Sequence, residues 1–166
     1  MKRSRTEEGA PISEDRDPLG KLQQEMLQQM NLFRAIYSSR PFGFDEGILN
    51  GILTDARRAN QRDGITGALI CRGDIYLQWL EGSEADVRAA LARIERDDRH
   101  VEVILHVAKR VDTRTFGRWA MLHDPAVSWI WSPEEVAANA PERATEEEVT
   151  AFFMQLCDVS GPLGSS

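Results

Sequence analysis

The chain has 166 residues, 42% of them hydrophobic, with 20 basic against 27 acidic side chains and a formal net charge of -7. That length suits one core with attached tails, and the acidic balance, with no basic stripe carrying interleaved aromatics, argues against direct nucleic-acid binding. No apolar run is long enough to span a bilayer and no signal-peptide pattern follows Met1, so the expectation is a soluble cytoplasmic protein without a membrane partner.

Residues 1–17 are rich in charge, Ser, Gly and Pro and are expected to form a disordered tail. Residues 18–30 read as an amphipathic helical extension. There "LGKLQQEMLQQM" places Leu19, Leu22, Met26 and Met30 on one face, able to dock on the domain or on a second copy. "LFRAIYS" reads as a strand ending at Tyr37. "EGILNGILTDARRAN" reads as a helix ending at Asn60, with Ile48, Ile52, Leu53 and Ala56 inward. "ITGALIC" and "IYLQWLE" are strands joined at Arg72-Gly73-Asp74, which is hairpin chemistry rather than an adhesion motif. Ser83 starts a second helix, with Asp86 three residues on and Val87, Ala90, Leu91 and Ile94 as its apolar face. After "RDDRH", "VEVILHV" alternates as a strand, and "FGRWAML", which holds Trp119 and Met121, is expected to be the last.

That order, βαββαββ, predicts an α+β ferredoxin-like sheet with two helices on one face. Beyond it, "SPEE" and "TEEE" place Ser132 and Thr145 as helix caps through Glu135 and Glu148, with Pro133 at a first helical position. The second of these helices carries Val149, Phe152, Phe153 and Leu156 as an apolar stripe. Since the first face is already covered, the stripe is expected on the opposite one. Residues 159–166, including "SGPLGSS", have the composition of a flexible tail.

Cys71 and Cys157 form no metal or redox spacing, and His100, His106 and His123 show no ligand pattern, so no metal site is expected. Gln78 is the residue that demands a reason. It sits at the centre of an apolar strand, sharing a face with Tyr76 and Leu80, and an unpaired buried amide costs on the order of 1–3 kcal/mol. In a ferredoxin-like sheet the first and third strands are neighbours, which brings Tyr37 within reach of Gln78 beneath the two helices. A slot with a phenol and an amide on its floor and Asn60 at its rim suits a flat heteroaromatic ligand, because an amide both donates and accepts.

"YSSR", "ARRANQRDGITGALI", "YLQWLEG", "RIERDDRH" and "FGRWAM" together resemble, in order and spacing, the BLUF domain, a blue-light sensor using FAD. The resemblance runs from about Asn31 to Leu122. It implies a flavin-binding domain over 31–124 and a C-terminal helical output segment over 125–158. By the resemblance, Tyr37 is the redox-active tyrosine that gives an electron and then a proton to the excited flavin. Gln78 is the switching glutamine between that phenol and the N5/O4 edge of the ring, and Asn60 bonds the O4/N3 edge. Arg93, Ile94, Asp97 and Arg99 match positions near the pyrimidine end or the ribityl chain. Ser39, Trp119 and Met121 match positions whose bonds or packing change with the glutamine. Ala59 stands where many members carry Asn or His, which implies one ring hydrogen bond fewer. The cofactor implied is FAD, with FMN as the other flavin the motif admits.

The resulting expectation is a photoreceptor without catalytic turnover. Its signal leaves through the last strand and the C-terminal helices to an unidentified downstream protein or to self-association, as a homodimer or higher homo-oligomer. Two alternatives share the fold: an acylphosphatase-like hydrolase, for which "SSRPFGFDEG" lacks the phosphate-loop spacing, and a non-photoactive interaction domain. Colour separates them, since only the photoreceptor purifies yellow.

Overall fold

The computed structural model describes residues 17–43, 45–117, 119, 121–125 and 129–159, leaving out the side chains of 28–30, 123–125 and 159. Of the tails expected at 1–17 and 159–166, residues 1–16 and 160–166 lie outside the described residues, as does the His123 side chain, while Val159 still belongs to the last helix. The elements are α1 (Pro18–Met30), β1 (Leu32–Pro41), α2 (Glu46–Asp63), β2 (Thr66–Arg72), β3 (Ile75–Ser83), α3 (Glu84–Glu95), β4 (His100–Arg110), β5 (Leu122–Pro125), α4 (Pro133–Ala137) and α5 (Glu146–Val159).

Local chemistry explains most of the boundaries. Asp17 accepts from Gly20 N–H at 2.9 Å and opens α1 ahead of Pro18. Asp45 accepts from Ile48 N–H at 2.7 Å and opens α2, which runs one turn beyond the expected Asn60 to a left-handed Gly64 at φ 67°. Ser83 caps α3 by accepting from Asp86 N–H, and Ser132 with Glu135 forms a reciprocal capping box on α4. Arg72 and Asp74 pair across the β2–β3 turn, as hairpin chemistry requires.

The sheet order is β4-β1-β3-β2-β5, antiparallel except for β5, which runs parallel to β2. β1 and β3 are therefore central neighbours, with Tyr37 directly opposite Gln78. Tyr37 lies in mid-strand rather than at the end of β1, because the strand continues to Pro41. The β1–β4 ladder slips register on either side of Tyr37 and Ser38, the kind of irregularity that re-aims side chains.

Both faces of the sheet are covered, which is why β3 is buried almost throughout. α2 and α3 press Ile52, Leu53, Val87, Ala90 and Leu91 onto the face that bears Tyr37, Leu69, Tyr76 and Leu80. On the other face Val136, Val149, Phe153 and Leu156 from the C-terminal helices meet Ile36, Ile70, Leu77 and Trp79. The stripe on α5 is thus where its amphipathicity called for it to be. Gly67 is required by close approach, since a Cβ there would lie 1.8 Å from the Trp79 carbonyl oxygen.

The expected last strand is displaced. β5 begins at Leu122, the last residue of "FGRWAML", so Trp119 and Met121 precede it. The chain before it is bent onto the sheet end: Thr115 N–H donates to the Glu81 carboxylate at 2.8 Å, and Arg114 donates to the carbonyls of Gly64 and Glu81. Arg114 also donates to the Thr66 hydroxyl at the start of β2 at 2.8 Å, and Gly67 N–H donates to the Trp119 carbonyl at 3.0 Å.

Candidate functional site

Two antiparallel-packed walls of small side chains leave a gap above the sheet. Ala56 and Ala59 of α2 face Ala90 of α3, and between the helices lies a slot of about 250 Å³ whose floor includes Gln78 and Leu80. Asn60, Arg93, Ile94, Asp97 and Arg99 line it as well, so six of the expected cofactor-contacting positions, Gln78 among them, converge there. Alanine on both walls leaves room between the helices for a ring to enter.

Beneath the floor, Tyr37 is fully buried and its hydroxyl donates to Gln78 Oε1. The Gln78 Nε2 group faces Met121 Sδ at 3.5 Å. An amide nitrogen carries two N–H donors and a thioether is a weak acceptor, so this end of Gln78 is held far less firmly than its oxygen. Burial pushes the Tyr37 phenol well above its ordinary value, with the charge of Asp97 acting in the same direction. The phenol therefore stays protonated and remains a donor.

The order of the last segment decides what Met121 and Trp119 do. Met121 belongs to the core layer of Tyr37 and Leu80, whereas Trp119 packs with the opposite layer, its ring 6.2 Å from Phe116. Met121 touches Gln78, whereas Trp119 is joined to β2 by the backbone bond from Gly67 and does not line the slot. Ser39 does not line the slot. Its hydroxyl pairs with His100 Nδ1 at 2.8 Å, and the His100 ring lies 5.3 Å from that of Tyr76. A hydroxyl one pleat along from Tyr37 is drawn to the nearest buried imidazole, since both must be satisfied.

The rim is charged. Arg99 bonds both oxygens of Asp97 and also Asp55, and the Arg99 guanidinium holds the Asp97 carboxyl below the usual carboxylate range. Asp55 and Arg62 are slot residues the sequence reading did not single out. The signal was available, because Asp55, Ala59 and Arg62 follow helical spacing on the same face of α2. Among the described residues no cluster of His, Cys, Asp or Glu could hold a metal ion, and no helix is long and apolar enough to cross a membrane.

The residues present fit a flavin. The slot opens between alanine-bearing faces of α2 and α3, Asn60 and Gln78 bring amides to it, and Gln78 has N–H capacity that Met121 satisfies poorly. Residues 32–122 match the BLUF family, described as sensors of blue-light using FAD. No curated protein sequence matches the chain significantly. Among solved structures, the photo-activated state of BlsA is 26% identical, with a TM-score of 0.63, and the alignment covers 76% of this chain and 94% of that one. The dark state of BlrB, a BLUF protein, is 25% identical with a TM-score of 0.64, covering 80% of this chain and 99% of that one. A bacterial light-regulated adenylyl cyclase is 25% identical over 68% of this chain, with a TM-score of 0.56, but only 34% of the cyclase is matched. With more than half of its 166 residues matched, and with the slot, amides and buried phenol in place, the chain belongs to the BLUF family of blue-light photoreceptors that bind FAD.

Proposed function

We propose that blue light is converted into a signal by reversal of the Gln78 carboxamide, started by loss of an electron and a proton from Tyr37. The observation that carries this reading is the chain of contacts from Tyr37 Oη to Gln78 to Met121 Sδ at the floor of the slot. The flavin, when bound, supplies the chromophore and the electron acceptor. A buried, neutral phenol becomes a strong acid once it gives up an electron, and its proton has the Gln78 oxygen directly ahead of it. Gln78 is clamped at Oε1 and loosely held at Nε2, so exchanging the two ends breaks one strong bond and one weak one. Asn60 orients the ring from α2, and Arg93, Ile94, Asp97 and Arg99 close the slot from α3 and the loop after it.

Amplification is needed beyond the amide itself. One rearranged hydrogen bond is worth roughly 0.5–1.5 kcal/mol, whereas a full two-state switch takes about 5.5 kcal/mol. Trp79, next to Gln78 on β3, packs edge-on against Phe116 at 5.3 Å and lies 5.4 Å from Phe153 of α5. Movement of β3 therefore bears on the loop carrying Met121 and on α5 together. Residues 125–158 act as the output segment over a flavin-binding domain at 31–124. They hand the change, without turnover, to an unidentified downstream protein or to self-association as a homodimer or larger assembly.

The test is the absorption spectrum before and after blue illumination, in the wild type and in Gln78→Leu. The wild type is expected to shift to the red and recover in darkness. The variant is expected to bind flavin with no shift, and an unchanged light-minus-dark spectrum in it would remove Gln78 from the mechanism.

A further inference from the structure

The helix ahead of the sheet has an apolar face that the domain leaves bare. On α1, Leu19, Leu22, Met26 and Leu27 are 71, 55, 56 and 56% exposed, and they are four of the eight large apolar side chains exposed among the described residues. Neither core layer includes a residue of α1. An isolated helix of 13 residues is marginal in water, so a stripe of this kind calls for a cover.

Composition narrows what the cover is. Residues 1–16 hold Met1, Ala10, Pro11 and Ile12 as their only apolar side chains, and residues 160–166 only Pro162 and Leu163, too few to lay a second stripe along the first. A membrane surface is a poor match. The rest of α1 is mostly Gln23, Gln24, Gln28 and Gln29, with Lys21 balanced by Glu25, whereas helices that lie in the membrane interface carry a polar face rich in Lys and Arg. Two copies of a chain with a formal charge of -7 repel one another at long range, and α1, with one Lys and one Glu, is a patch of zero net charge on which they can meet.

The helix also suits its own copy in shape. A two-fold contact needs a ridge and a hollow on the same patch, because each copy presents both. In an antiparallel crossing centred on Gln24, Leu22 of each copy lies beside Met26 of the other, and the positive end of each helix dipole meets the negative end of its neighbour. Leu27, on the flank, lines with Gln24, Asn31 and Ser83 a hollow of about 310 Å³ between the helix and the end of β3. The same crossing brings Leu19 of the second copy level with that hollow.

We propose that α1 is a dimerisation helix, which pairs antiparallel with α1 of a second copy through Leu19, Leu22 and Met26. The pair forms in darkness and without flavin, so it goes beyond the light-driven change described above.

Sedimentation equilibrium of the full chain over a concentration series, in darkness and under blue light, tests it. The wild type is expected to be a dimer in both. Leu22→Gln with Met26→Gln should raise the dimer dissociation constant at least about tenfold. It should leave the near-ultraviolet circular dichroism unchanged, since all four tryptophans lie outside α1. The exchange of Leu22→Met with Met26→Leu should keep the dimer. A wild type that stays monomeric up to about 100 μM overturns the proposal, whether or not it then sediments with vesicles of phosphatidylcholine and phosphatidylserine. So does a dimer that the glutamine pair leaves as tight as before, or one lost only together with the tryptophan signal, the mark of a merely structural role.

Discussion

The Tyr37 hydroxyl donates to the Gln78 carboxamide across directly opposed residues of β1 and β3, and both side chains lie below the helix-walled slot. The bond joins the two central strands beneath the slot, as the Arg34–Glu81 pair joins them further along. Tyr37→Phe removes the donor while keeping the ring. The expected outcome is a stable, flavin-binding protein, destabilised by about 1–3 kcal/mol because Gln78 Oε1 loses its partner. Light-minus-dark spectra should show no long-lived red-shifted state. A wild-type yield of that state would rule out Tyr37 as donor.

Glu81 is fully buried and holds three elements at once. It accepts from Trp79 Nε1 at 2.6 Å, from Arg34 Nε at 3.1 Å and from Thr115 N–H at 2.8 Å. Glu81→Ala strands all three donors, and urea unfolding should register a loss of ~3–5 kcal/mol. Glu81→Gln keeps an acceptor and should cost about 1–3 kcal/mol. Equal stabilities for the two variants would show that the carboxylate is not what ties the segment before Met121 to β3.

Burial pushes the His100 imidazole down to about 4, although the charge of Asp97 partly opposes this. A folded-state value below the unfolded one near 6.5 means that the unfolded chain binds the proton first as the pH falls. The stabilisation is complete above about pH 6.5 and is lost progressively toward pH 4, roughly 3 kcal/mol over the whole window. His106, also lowered by burial, adds in the same direction. His100→Gln keeps a partner for Ser39 and should flatten the pH dependence of the urea midpoint between about pH 6.5 and 5, above most carboxylate titration. A variant as pH-sensitive as the wild type there would place the effect elsewhere.

Coupling to α5 calls for a gentle change. Val149, Phe153 and Leu156 cover Ile36, Leu77 and Trp79, so deleting the C-terminal helices would strip one face of the sheet and confound signalling with unfolding. Phe153→Leu removes the ring against Trp79 and keeps most of the volume, at a cost of about 1.5 kcal/mol or less. The spectral shift should survive, and the light-dependent change in sedimentation or partner binding should weaken. A full light response in this variant would exclude the Trp79–Phe153 contact as the route.

Much of this protein is written locally. The alternation along "IYLQWLE" puts Gln78 on the Tyr76 face, Ser83 and Ser132 mark helix starts, and the α5 stripe demands a second covered face. Each rests on periodicity or on a cap spanning a few residues, so neighbouring side chains suffice to determine it. Other features needed the assembled chain. Ser39 turns to His100 rather than to the slot, Met121 and Trp119 part to opposite layers, and Arg93 reaches Asp63 across thirty positions of sequence. Those outcomes depend on which long side chains meet once two helices and a bent segment settle on the sheet. No period in the sequence records that competition among distant partners.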